Sequence, residues 1–170
     1  MKPPLILLDV DGVTAPFFRP GPEWRRHSAV SDGRTYQVWL NPAVGAQLLT
    51  LAEQTGAELT WCTSWDHDAN TAIAPLIGLP ELPVCVVDQD AKWAAHLTAD
   101  LCFKTGTVAD YAAGRPFVWF DDYIGLGDAR YLADRADVGD YLLITVEPRR
   151  GLTLEHLEQA RAWLAERGGS

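Results

Sequence analysis

The sequence predicts an α/β fold: a three-layer, Rossmann-like arrangement around a five-stranded, mainly parallel sheet, with a small β-hairpin flap after the first strand. Three observations lead there. Apolar runs of strand length alternate with helix-patterned segments along the whole chain, as βα units do. The first run, Leu5-Ile6-Leu7-Leu8, is apolar without alternation, as a strand buried on both faces must be. Several runs end on acidic or hydroxyl residues, at the carboxyl edge of the sheet where ligands bind in open α/β folds.

The first strand stops on Asp9-Val10-Asp11, and Gly12 lets the chain turn away sharply. Residues 14–41 follow as an insertion containing Pro16, Pro20, Gly21 and Pro22, the basic cluster Arg25-Arg26-His27 and the turn Ser31-Asp32-Gly33-Arg34. Thr35 to Leu40 alternate like a strand, so this segment is expected to be a hairpin flap over the crevice. Its aromatic residues Phe17, Phe18 and Trp24 argue against disorder.

Asn41-Pro42 starts a helix that buries Val44, Leu48, Leu51 and Ala52 and ends at Gly56. Leu59 to Thr63 is the second strand, ending in Thr63-Ser64 before a helix expected to begin near Trp65. Asp66 and Asp68 in that helix's first turn suit its positive end, and His67 is expected at the surface. Leu82 to Val87 is read as the third strand, 91–101 as a helix, and 108–113 as another, ending at the breaker Gly114-Arg115-Pro116. Phe117 to Phe120 is the fourth strand and ends on Asp121-Asp122; Tyr141 to Val146 is the fifth. The last helix is capped by Thr153, buries Leu154, Leu157 and Leu164, and is expected to stop at Gly168-Gly169.

Composition narrows the function. The 170 residues are expected to form a single domain, 1–170, burying roughly 70% of its unfolded surface. The net charge of −9 lacks the footprint of a general nucleic-acid binder, although it leaves room for local processing of a nucleic-acid end. Cys62, Cys85 and Cys102 share no metal-ligand spacing and read as buried free thiols of a reducing compartment. Asp9 and Asp11 interrupt the first apolar run too early for a signal peptide, and no run reaches transmembrane length. A cytoplasmic protein with no membrane partner is expected; the residues do not set an oligomeric state.

Four segments supply polar groups at equivalent edges: Asp9 and Asp11, then Thr63 or Ser64, then Lys104 at a helix start, then Asp121-Asp122. In order and rough spacing this set resembles the four motifs of the haloacid dehalogenase (HAD) superfamily of hydrolases, in a small form with a minimal cap. Physics points the same way. Two carboxylates facing a phosphate repel it by about 4 kcal/mol per charge pair at ~4 Å and an effective dielectric of about 20, so a cation is needed. Clustered oxygen donors without Cys or His suit Mg²⁺.

The resemblance implies roles. Asp9 would be the nucleophile, forming an aspartyl-phosphate, and Asp11 the acid and then the base. Mg²⁺ would be held by Asp9, the Asp11 backbone carbonyl, and Asp121 or Asp122. Thr63 or Ser64, with backbone N–H groups of the next helix, would bind phosphate oxygens. Lys104, with Lys92 as its rival, would stabilise the nucleophile and the transferring charge. Arg25, Arg26, Arg149 and Arg150 are candidates for gripping the substrate's distal charge, and Trp24, Trp39 and Trp65 for the rim of the site.

Val13 stands where many superfamily members have Thr, and no large cap is present, which favours a bulky or macromolecular substrate. The expected activity is a Mg²⁺-dependent phosphohydrolase acting through an aspartyl-phosphate on a phosphomonoester, its partner a phosphorylated small molecule or a nucleic-acid end. One alternative is a phosphatase of nucleic-acid ends like those of RNA-repair proteins. A different one is a non-catalytic phospho-ligand or protein-binding module on the same fold.

Overall fold

The computed structural model describes residues 2–88, 90 and 100–167. Lys92, most of the helix expected over 91–101 and the glycines expected to end the last helix lie outside them.

Strand β1 (Leu5–Leu8) lies inside a parallel sheet of order β4-β1-β5-β6, with β4 at Glu58–Trp61, β5 at Phe117–Asp121 and β6 at Tyr141–Thr145. Its residues register against Glu58 to Trp61 on one side and Phe117 to Phe120 on the other, and all four are fully buried. Alternation sends Ile6 and Leu8 into one core layer with Leu59, Trp61, Val118 and Phe120. Leu5 and Leu7 enter the other with Phe117 and Trp119. Helices α1 (Pro42–Thr55) and α6 (Leu154–Ala165) cover the first layer through Val44, Leu48, Leu157 and Leu164. Helices α4 (Thr105–Ala112) and α5 (Leu126–Ala133) cover the second through Val108, Ala112 and Leu132. This is the expected three-layer arrangement.

The fifth strand of the expectation is a correction: among the described residues four strands form the sheet. The segment 82–87 runs beside β4 but joins it through one parallel bridge, Trp61 to Val84. Trp61 N–H donates to the Pro83 carbonyl and Cys85 N–H to the Trp61 carbonyl. Pro83 has no N–H to extend the ladder. Val87 N–H donates instead to the Asp66 carboxylate (3.2 Å).

The flap is β2 (Arg25–Ser31) paired antiparallel with β3 (Arg34–Leu40). Asp32 and Gly33 at its tip have φ of 50° and 69°, the left-handed pair of a two-residue hairpin turn. Ala29, Val38 and Leu40 are buried against the body, so the hairpin packs on the domain rather than standing free. The Asp68 carboxylate accepts the Asp32 N–H (2.9 Å) and pins the tip.

Another expectation is revised after β4. The helix begins at Asp68 rather than near Trp65, as the short α2 (Asp68–Ala72), followed by α3 (Ala74–Ile77). Thr63 to His67 form turns, and Asp66 takes a left-handed φ of 45°. On α1, Asn41 caps by accepting the Ala43 N–H (3.0 Å). Gly45 is required there because a Cβ would collide with the Ile77 carbonyl.

Helix α6 opens with a reciprocal cap: Thr153 Oγ1 accepts the His156 N–H (3.4 Å), and His156 Nδ1 accepts the Thr153 N–H (3.2 Å). Only a neutral imidazole accepts. Burial, helped by Arg150 and opposed by Glu155, holds His156 below its ordinary 6.5. The unfolded chain therefore takes the proton more readily, and the cap's contribution is full above 6.5 and lost as pH falls below it. Urea unfolding of wild type should lose up to about 1 kcal/mol from this cap between about pH 8 and about pH 5, and His156→Gln should reduce that loss. An identical pH response in the variant would contradict the assignment.

Candidate active site

The register that pairs Leu8 with both Trp61 and Phe120 determines which residues meet at the carboxyl edge of the sheet. One residue further, Asp9 leaves β1 next to Asp121 at the end of β5, with Cys62 and Thr63 leaving β4 on its other side. Gly12, at φ 74°, turns the first loop so tightly that a Cβ there would lie 2.7 Å from Asp122 Oδ2. The tips of three parallel strands thus converge on one edge, as the sequence places them.

Lys104 reaches this edge from the residue before α4 and is 4% exposed. Its Nζ lies 2.7 Å from Asp9 Oδ2 and 2.6 Å from Asp121 Oδ2. Burial opposes its charge, but Asp9 and Asp121 outweigh burial and hold the ammonium well above the ordinary lysine range. The carboxylates feel the opposite pressure. Burial raises Asp9, against the pull of Lys104 and with help from Asp11. Burial and the neighbouring acids push Asp121 and Asp122 each up to about 6, with Lys104 opposing. One ammonium does not neutralise this many acids.

Further hydrogen bonds hold each group in place. Asp9 Oδ1 accepts the Val10 N–H (2.7 Å), and the Thr63 hydroxyl hydrogen-bonds the same carboxyl. Asp121 Oδ1 accepts the Tyr123 N–H (2.8 Å). Asp11 turns the other way, and its Oδ2 accepts the Trp65 indole N–H (2.9 Å). Trp65, 5% exposed, packs in turn against Tyr36 of the flap with ring centroids 5.4 Å apart. Ser64 is only half-buried and opens with Asp11 onto a cavity of about 650 Å³ under the flap tip, also lined by Arg34, Tyr36, Asp66 and Asp68.

Asp9, Asp121 and Asp122 each offer an oxygen within 4.8 Å of the others. Hard oxygen donors carrying excess negative charge fit Mg²⁺. The Asp11 carboxylate lies outside that group. Asp121 already serves Lys104 and Tyr123, whereas half-buried Asp122 stands against the first loop.

The four arginines singled out from the sequence do not line this cavity. Arg26 lies opposite Trp39 on the flap face away from the body, Arg25 Nη1 donates to the Pro22 carbonyl, and Arg149 stands over Phe18 (4.5 Å). Arg150 lines a separate recess beside Trp24, which is buried there rather than at the rim. Arg34 and Tyr36, with Ser31 and Asp32, are flap residues near the tip that line the crevice.

The sequence leaves Asp128 of α5 open between a surface residue and one that supports the site from behind, and the structure favours the second. Asp128 is 1% exposed, its Oδ1 accepts from Cys102 N–H (2.9 Å) and the Thr105 hydroxyl, and its Oδ2 accepts the Gly125 N–H (2.8 Å). It therefore ties the loop carrying Lys104 to the start of α5. Its place three residues after Gly125 is the capping-box spacing, a signal the sequence did contain.

A parallel sheet with these four groups gathered at its carboxyl edge defines a hydrolase of the HAD superfamily. Within it, the chain belongs to the family described as the HAD domain in Swiss Army Knife RNA repair proteins, whose model matches residues 5–157. No curated protein and no solved structure gives a significant match.

Asp128→Asn would turn an amide N–H₂ toward at least one donor it now accepts from. The expected cost is about 1–3 kcal/mol in urea unfolding, with a fall in hydrolytic kcat because Lys104 loses its anchor. Unchanged kcat with reduced stability would separate Asp128 from the positioning of Lys104.

Proposed function

We propose that the chain is a single-domain, Mg²⁺-dependent phosphomonoesterase that works through an aspartyl-phosphate at Asp9. The observation that carries this reading is the buried Lys104 ammonium bridging Asp9 and Asp121 beside a third acid, Asp122. A phosphoryl group needs an oriented nucleophile, a fixed cation and a proton donor for the leaving oxygen, and the edge offers all three.

The Asp9 carboxylate attacks phosphorus, forming the O–P bond as the bond to the leaving oxygen breaks. Asp11, held by Trp65, gives its proton to that oxygen, then takes one from the water that attacks the same phosphorus. Free phosphate and the Asp9 carboxylate result, and Asp11 is again protonated. Lys104 holds Asp9 in place and stabilises charge on the phosphoryl oxygens. Thr63, fully buried beside Asp9, is better placed than Ser64 to touch that phosphoryl group. Asp9 and Asp122, with Asp121 beside them, would hold Mg²⁺, which would supply charge neutralisation.

The family's description favours the end of a nucleic acid as the substrate over a small phosphorylated metabolite. A non-catalytic binding module would need neither a proton donor at Asp11 nor a bridged lysine. Three buried free thiols fit a reducing, cytoplasmic setting, and no described helix is long and apolar enough to cross a membrane.

Hydrolysis of an aryl phosphate should require Mg²⁺, disappear in Asp9→Asn, and fall about 10²–10³-fold in kcat in Lys104→Met. Turnover that survives Asp9→Asn would overturn the covalent route. Turnover undiminished by a chelator would overturn the metal requirement.

A further inference from the structure

An acidic enzyme that processes a polyanion needs a local surface that tolerates it. Residues 16–29 and 146–152 hold five arginines, Arg19, Arg25, Arg26, Arg149 and Arg150, against two glutamates, Glu23 and Glu147, in a chain of net charge −9. Two of these arginines are stacked on aromatic rings: Arg149 over Phe18 at 4.5 Å and Arg19 over Trp39 at 5.6 Å. Arg19 is also held in place, its Nε donating to the Gly21 carbonyl and its Nη2 to the Pro22 carbonyl (3.1 Å each). Arg26 is the register partner of Trp39 on the same outward face of the flap. Phe17 and Phe18 are 56% and 54% exposed, although apolar side chains of that size are ordinarily covered.

This surface is continuous with the catalytic edge. A Cβ on Gly12 would lie 2.7 Å from Asp122 Oδ2 and 2.9 Å from Pro148 Cβ. Pro148 accepts the Phe17 N–H at its carbonyl (2.9 Å). From there Phe17, Phe18 and Arg19 lead along the chain to Trp39 and Arg26. The other exit from the site, the cavity under the flap tip, carries Asp11, Asp32, Asp66 and Asp68 against the single arginine Arg34. Each extra phosphate entering there would meet like charges.

Exposed aromatic faces interleaved with fixed guanidinium groups stack bases and hold phosphates without reading sequence. We propose that a single-stranded nucleic acid, its terminal phosphate at Asp9, runs outward across Phe17, Phe18 and Arg149 and then across Arg19, Trp39 and Arg26. The path rests on the phosphatase reading for its starting point. It also accounts for the missing large cap: the strand itself covers that side of the site.

The test is binding of a short single-stranded RNA carrying a terminal phosphate, followed by fluorescence anisotropy on the Asp9→Asn chain, with Phe18→Ala/Arg19→Ala added to the same background. The added changes should weaken binding at least about tenfold and reduce the slope of log affinity against log salt by about one. Arg26→Glu, at an exposed site, should weaken it as well, and Arg34→Ala should leave it unchanged. Equal binding by the Phe18→Ala/Arg19→Ala protein, or a larger loss from Arg34→Ala, would overturn the path. In the otherwise wild-type chain, Phe18→Ala/Arg19→Ala should leave aryl phosphate turnover unchanged. An equal loss on the aryl phosphate would also overturn the path. RNA binding that depends on this surface, in a wild-type chain that hydrolyses no phosphomonoester, would overturn the phosphatase reading and keep the path.

Discussion

The arrangement depends on a single buried ammonium. Lys104 sits between Asp9 and Asp121 at the end of the sheet, nearly out of reach of solvent. Taking such ions out of water costs several kcal/mol apiece, and only short contacts with further hydrogen bonds offset that cost. The surroundings meet this demand: Val10 N–H and Thr63 on Asp9, Tyr123 N–H on Asp121, and Asp128 fixing the loop that delivers the lysine. The same arrangement leaves the negative charge in excess. Asp122 and Asp11 stand nearby, and burial first, then the neighbouring acids, raises the proton affinity of Asp9, Asp121 and Asp122. The oxygens that Asp9, Asp121 and Asp122 offer within 4.8 Å of one another form a group that could hold a metal ion.

The fold separates rigid chemistry from variable recognition. Asp9, Asp121 and Asp122 stand at strand ends fixed by parallel register and by a fully buried β1, and Lys104 reaches them from the start of α4. The flap is packed through Ala29, Val38 and Leu40 and pinned through Asp32, so its two faces have fixed and different surroundings. Its inner tip touches Trp65, which holds Asp11. Its outer face carries Trp39 and Arg26 beside the exposed phenylalanines. Acid lines one exit from the crevice and arginine the other.

Much of this was legible in the sequence, for physical reasons. A strand buried on both faces has an unmistakable apolar run, and parallel strands must bring their carboxyl ends to one edge, so the positions of Asp9 and Asp121 followed from where runs stop. Lys104 is distinguished from Lys92 by its spacing before the fourth strand and by the family resemblance. The Asp32-Gly33 turn was equally plain, because few residue pairs adopt two successive left-handed conformations. What failed depended on tertiary context. Leu82 to Val87 has the composition of a strand, but Pro83 withholds a ladder donor and, past the one bond from Cys85 N–H, Asp66 takes that of Val87. Arg25 and Arg26 look alike beside the first motif, yet register decides which face each occupies, and Arg34, not either of them, lines the crevice. Trp65 was legible as a candidate for the rim, but its hydrogen bond to Asp11 gave no sequence signal, since the two lie far apart along the chain.

The central claim is that Asp9 carries the phosphoryl group between substrate and water. Acid quenching during turnover of a substrate labelled with radioactive phosphorus, followed by peptide mapping, tests it most directly. The account predicts acid-stable label on the peptide containing Asp9, appearing before phosphate release and absent from Asp9→Asn. Phosphate released at the full rate with no protein-bound label at any quench time, or label on a different residue, would contradict it.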